Sequence, residues 1–239
     1  MTRGALALAL VTALVACRTA DAQLDELLKQ LPRSSPGSLG VVKIGQALKE
    51  ALQVGTENAV KLTGRPDGYF RNQAIKILLP ERLKTLEQGL RLVGYGPKVD
   101  ELVLGMNRAA EHAAPAAKQI FWDAIGDMTI DDARRILDGA DTAATDYFKG
   151  KTTGRLTTAF QPIVEQSMSQ VGVTRQYDDL LGHARGIPFL DLERFDLDHY
   201  VVGKALDGLF HVVGEEEKKI RTNPSARVTD LLREVFGRR

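Results

Sequence analysis

The sequence predicts an all-α protein, a single multi-helix bundle of about eight helices with at most one short β-hairpin. Three observations predict it. Apolar residues step by three and four along most of the chain, most clearly from Pro97 to Ile125. Helix-start signals recur, at Thr129 with Asp132 and at Asn223-Pro224. No low-complexity linker divides the body, and the threonine-led segments at Thr129, Thr174 and Thr229 share no fixed period, which excludes a solenoid.

The elements follow in chain order. Residues 32–40, PRSSPGSLG, read as a linker after a short leader helix. Val41, Ile44, Leu48, Ala51, Leu52 and Val60 carry a first long helix to Leu62, and Gly64-Arg65-Pro66-Asp67-Gly68 breaks it. Ile75, Ile77 and Leu79 alternate like one short strand. Pro80 then opens a helix over 81–93. In the 97–125 helix the stripe is rich in alanine, which permits close packing, and Pro115 should kink or split it. Thr129 and Asp132 form a capping box for a helix ending near Gly139. Helices are expected over 141–148 and 152–171, with Gly172 stopping the second, and another from Val173 that fades by Pro188. Asp196-Leu197-Asp198 caps the last long helix, whose segment Tyr200–Val213 is apolar on nearly every side and therefore central. Glu215–Arg221 reads as a solvated charge run with Glu217 and Arg221 at i,i+4, and Asn223-Pro224 launches a closing helix through Phe236.

The chain has 239 residues, 44% hydrophobic and 26% charged, enough for a substantial core. Lysine plus arginine number 32 and aspartate plus glutamate 31, a balance that argues against a nucleic-acid partner. One cysteine excludes a disulfide framework and a thiolate zinc site.

Met1-Thr2-Arg3 followed by the uncharged run Gly4–Ala16 has the order and length of an export signal and is too short to span a bilayer. Two cleavage readings compete. Leu14-Val15-Ala16-Cys17 resembles a lipobox, which makes Cys17 a lipid-attachment residue; Ala20-Asp21-Ala22 fits ordinary cleavage before Gln23. The expected organisation is a signal over 1–16 or 1–22, a leader and linker to residue 40, and one helical domain over 41–239. The expected location is the bacterial periplasm, soluble or tethered, with the membrane met only through that lipid.

Several phrases together resemble a bacterial family catalogued as domain of unknown function 4197. They are Gly68-Tyr69-Phe70 with Asn72 and Ile75-Lys76-Ile77; Met106–Glu111; Met128-Thr129-Ile130 with Asp132-Ala133; Ala143-Ala144-Thr145 with Tyr147-Phe148; Lys204–Phe210; and Ile220-Arg221 with Asn223-Pro224 and Ala226-Arg227. The resemblance spans roughly residues 24 to 237, nearly all of the mature chain, as a one-domain protein requires. Val228 departs from the familiar phrase. The resemblance implies an exported helical protein and supplies no catalytic residues.

Motifs for chemistry are sparse. His112, His183, His199 and His211 lack ligand spacing, so no metal or other cofactor is expected. Gly40–Gly45 has phosphate-loop glycine spacing but Gln46 in place of lysine, and Gly94-Tyr95-Gly96 before Pro97 is a turn. Lys204 and Asp207, the only charges within Tyr200–Val213, read as an internal ion pair, as a lysine that snorkels to the helix edge, or as the floor of a ligand pocket joined by Asn107 and Arg108. Tyr69, Phe70 and Asn72 follow a turn and form either an interaction surface or a loop tucked into the core by its rings. The leading expectation is a non-enzymatic binding or interaction module with an envelope-protein partner. The alternatives are a carrier of a small apolar ligand such as a lipid, and an enzyme using Lys204 with nearby carboxylates.

Overall fold

The computed structural model describes residues 36–170, 172–184 and 196–222. The signal, Cys17, the leader, the 186–188 stop and the closing helix from Asn223 lie outside the described residues. Two compact units are present, Met1–Lys43 and Ile44–Arg239. The described residues are helical with no strand.

The helices are α1 (Pro36–Gly64), α2 (Lys84–Leu92), α3 (Gly96–Ala113), α4 (Ala117–Gly126), α5 (Ile130–Asp138), α6 (Ala143–Gln170), α7 (Val173–Ala184) and α8 (Leu197–Thr222). Helix α1 begins at Pro36, so the linker expected over 32–40 is helical in its last residues. Proline suits a first helical turn, where its missing N–H has no partner to lose. A 3-10 turn, Glu81–Leu83, precedes α2. Pro115 splits the long alanine-striped helix as expected: the 3-10 turn Ala114–Ala116 separates α3 from α4.

Thr129 caps α5 through the anticipated box. Its hydroxyl accepts from the Asp132 amide at 3.1 Å, and Asp132 accepts from the Thr129 amide at 3.1 Å. The Thr129 hydroxyl and amide, with Arg135, push the Asp132 carboxyl down to about 2. Gly172 ends α6 with a left-handed φ of 73°.

The two helices expected over 141–148 and 152–171 are one. Helix α6 runs through Gly150 because its buried stripe does not stop there: Phe148, Thr152, Leu156, Phe160, Val164 and Met168 continue the i,i+4 row. The buried Thr152 hydroxyl is satisfied within the helix, donating to the Phe148 carbonyl at 2.6 Å. Packing therefore overrides the local cost of glycine, about 1 kcal/mol.

Helix α6 packs on α3 and α8. The centre is filled by rings: Phe121 meets Phe148 edge-on at 5.2 Å and Phe210 at 6.1 Å between centroids. Asp196 caps α8, accepting from the His199 amide at 3.0 Å. Helix α8 buries Val201, Val202, Ala205, Leu206, Leu209, Phe210, Val212 and Val213 but keeps a solvent edge at Lys204, Asp207 and His211. It is thus not apolar on all sides.

The charge run after it is only half solvated. Glu216 and Glu217 are buried. Glu217 accepts from the Ala144 and Thr145 amides, both at 2.9 Å, and from the Thr145 hydroxyl at 2.8 Å. It therefore caps the N-terminus of α6 from another helix, where orphan amides and the helix dipole favour a carboxylate. Arg221 closes the arrangement, donating to Glu217 at 2.9 Å and to the Ile136 carbonyl at 2.7 Å. Glu216 accepts from Asn58 at 3.1 Å and pairs with Lys219 at 2.6 Å, joining α1 to α8.

Candidate functional site

The longest irregular stretch among the described residues in the second unit, 65–80, is fastened between α3 and α8. It starts with a forced turn. Asp67 has a φ of 64°, and the Gly68 amide donates to the Arg65 carbonyl at 2.9 Å. A Cβ on Gly68 would meet the Leu62 carbonyl and stand 2.5 Å from the Thr63 carbonyl oxygen, so only glycine fits so close to the end of α1.

A buried carboxylate then takes up the loop's backbone. Glu111 Oε1 accepts from the Tyr69 amide at 3.1 Å and from the Phe70 amide at 3.2 Å. Arg108, one turn earlier on α3, donates to Glu111 Oε2 at 2.6 Å and to Asp67 Oδ1 at 2.7 Å. Arg71 pairs with the other Asp67 oxygen at 3.0 Å. These contacts, Glu111 foremost, hold the Arg108 guanidinium more firmly charged than usual.

Asn107 does for Ile77 what a neighbouring strand would do. Its carbonyl accepts from the Ile77 amide at 2.9 Å, and its amide donates to the Ile77 carbonyl at 2.8 Å and to the Val103 carbonyl at 2.7 Å. The alternation of Ile75, Ile77 and Leu79 is real, since all three are buried and Leu78 is exposed. Ile77 is thus bonded on both backbone groups to a side chain, and no hairpin is present among the described residues.

Tyr69 anchors the loop in the core. It is fully buried, and its hydroxyl donates to the Ala205 carbonyl of α8 at 2.6 Å. Burial, with Glu111 nearby, pushes its phenol well above the ordinary tyrosine range. A Cβ on Gly208 would lie 2.6 Å from Tyr69 Cε1, so α8 needs glycine where the ring passes. Tyr200 donates to the Leu78 carbonyl at 2.9 Å.

Outside this fastening lies a cleft of about 360 Å³. Its walls include Arg65, Asp67, Arg71, Asn72 and Gln73 together with the apolar Leu62 and Val212. The exposed members among these are Arg65, Arg71, Asn72 and Gln73.

The residues singled out from sequence separate as follows. Tyr69 is core rather than surface. Phe70 is half-buried under Lys76, whose ammonium sits 4.1 Å above its ring. Asn72 is exposed at the cleft and folds back to accept from the Ala74 amide at 3.1 Å. Asn107 is buried and spent on Ile77; Arg108 is spent on Glu111 and Asp67. Lys204 and Asp207 pair at 3.1 Å with side chains 48% and 71% exposed, so they stand on the solvent edge of α8 and do not meet Asn107 or Arg108 in an interior. His112, His199 and His211 are exposed, the side chain of His183 is outside the described residues, and no group of metal-ligating side chains converges among the described ones.

Glu111 and Asp67 were not singled out from sequence. The available signal was Glu111 at i+3 from Arg108, on a helix whose other flank is alanine. Several family-like phrases meet here: Gly68-Tyr69-Phe70 and Ile75-Lys76-Ile77 are held by Asn107 and Glu111 of Met106–Glu111, and by Ala205 of Lys204–Phe210.

The fold and this fastened loop define an all-α bundle with a polar cleft beside an immobilised turn. The chain belongs to the family described as "Protein of unknown function (DUF4197)", whose model matches residues 38–237. No curated protein and no solved structure matches the chain.

Proposed function

We propose that the protein is an exported cell-envelope interaction module. It presents the 65–73 loop to a partner, and it is either anchored by a lipid on Cys17 or released after cleavage before Gln23. One observation carries the recognition reading. The loop's backbone is fixed by buried Glu111, while Arg65, Arg71, Asn72 and Gln73 are left at the cleft with donors facing solvent. Recognition residues sit characteristically on loops held by a rigid scaffold, and a backbone ordered beforehand loses less entropy on binding. The address rests on the positive-then-apolar start of the chain. The carrier reading has less support, because the Phe121, Phe148 and Phe210 rings occupy the centre where an internal ligand would lie. The Lys204 enzyme reading rests on a residue that is paired and half in water.

A photo-cross-linking residue at Gln73, with the same residue at exposed Thr153 as control, tests the recognition surface in cells. A discrete added mass at position 73 and none at 153 is the expected result. Cross-links at 153 alone, or none at 73, contradict it. Intact mass of the membrane and soluble fractions tests the address: a diacylglyceryl-modified Cys17 in the membrane or a chain starting at Gln23 in the soluble fraction is expected, and an uncleaved Met1 contradicts export.

A further inference from the structure

We infer that the cleft beside the 65–73 loop binds a small organic anion, a carboxylate or phosphate monoester carrying a short apolar portion. The inference rests on the reading of this cleft as the recognition surface and specifies what it recognises.

The charge balance points to an anion. Asp67 and Glu111 supply two negative charges, and Arg65, Arg71 and Arg108 supply three positive ones. The acceptors are already engaged. Asp67 takes Arg108 on one oxygen and Arg71 on the other. Glu111 takes Arg108 on one oxygen and two backbone amides on the other. Arg65 is left with no ion pair among the described residues. The C-terminal carbonyls of α1 offset part of this surplus, by about half a charge. One turn back on α1, Lys61 at 3.5 Å and Lys118 of α4 at 3.1 Å share the single carboxylate of Glu57, which adds a further positive charge. The cleft therefore presents spare donors and a positive field, the setting in which guanidinium groups take carboxylate or phosphate oxygens.

The shape supplies the rest of the ligand. A bare anion occupies a small part of about 360 Å³. Leu62 and Val212 line the same cleft and offer apolar contact to a few carbons. The arginines would take the charged end and the two aliphatic side chains the tail.

The test is a nitrogen-15 NMR titration of the purified full chain with octyl phosphate, octanoate, octanol and inorganic phosphate. Octyl phosphate, octanoate or both should shift the Gly68, Asn72 and Gln73 amides and bind about tenfold more tightly than octanol or inorganic phosphate. Added salt should weaken the binding. Arg65→Glu should reduce the affinity by about tenfold or more with an unchanged circular-dichroism spectrum, since Arg65 is exposed and braces nothing. Arg71→Gln, a second variant in the cleft lining, should weaken the same binding. If octanol shifts the same amides as strongly as both anions, the anion inference is wrong while the cleft remains a recognition surface. If neither anion shifts these amides, or Arg65→Glu binds as well as the parent, the inference is overturned whatever the cross-linking at Gln73 shows.

Discussion

Glu111 and Glu217 fasten two parts of the same unit with the same pieces. Each is a buried carboxylate with an arginine on its own helix, three residues before it or four after it. Each accepts from two consecutive backbone amides of another segment. Around Glu217 the arrangement is sealed: its side chain is 5% exposed, that of Arg221 11%, and the amides belong to the start of α6. Around Glu111 it opens outward. Glu111 is 2% exposed, but Arg108 is 31% exposed and leads through Asp67 to Arg71 at the cleft. Closed, such a clasp serves folding. Open at one end, it also sets the position of groups that meet solvent, and function belongs at that end.

The largest expected effect is on the sealed side. Glu217→Ala removes the acceptor of two α6 amides and of the Thr145 hydroxyl and the carboxylate partner of Arg221, and should cost about 3–5 kcal/mol in urea unfolding. Glu111→Ala should cost less, about 2–3 kcal/mol, because water reaches the loop and Arg108 keeps Asp67. Equal losses, or a larger loss at Glu111, would break the distinction between sealed and open clasps.

Asn107→Ala sharpens the comparison within the open region. It orphans the amide and carbonyl of buried Ile77, at about 1–3 kcal/mol per group, so a loss of about 3 kcal/mol is expected by the same measurement. A loss under about 1 kcal/mol would mean that water replaces the side chain and that the 75–80 segment is not held by it.

Tyr69→Phe should be smaller, about 1–2 kcal/mol, for the bond to Ala205. It carries a pH signature. The phenol's folded-state pKa is raised above its unfolded value of about 10, so its contribution is complete below pH 10 and is lost as pH rises beyond it. The parent should lose stability above about pH 10 more steeply than Tyr69→Phe, by unfolding at successive alkaline pH values. Parallel curves would contradict burial of the hydroxyl.

Much of the fold was legible because it depends on local chemistry. The Thr129 box, the split at Pro115 and the stop at Gly172 are each decided by a residue's own backbone preference. The misreadings share a different cause. A break is expected between Phe148 and Thr152, but the Phe148–Met168 stripe is anchored by other helices. Glu217 reads as a surface partner of Arg221, since i,i+4 spacing looks the same whether the pair faces water or a helix start 72 residues away. Lys204 and Asp207 read as interior or as reaching the helix edge, and apolar neighbours alone do not choose between these; they fall on an open edge of α8. At the site, Tyr69, Phe70, Asn72, Asn107 and Arg108 were visible as unusual residues. Their relation was not, because it runs through Glu111, a glutamate whose sequence surroundings resemble those of any solvated one.

The claim on which the functional reading depends is that buried Glu111 holds the loop's backbone rigid. Hydrogen exchange at the Tyr69 and Phe70 amides tests it most directly. In the parent both should be strongly protected, and Glu111→Ala, which removes the oxygen that accepts from both, should release them while the Ala144 and Thr145 amides stay protected by Glu217. Fast exchange at Tyr69 and Phe70 in the parent, at the rate of an open turn, would contradict the account.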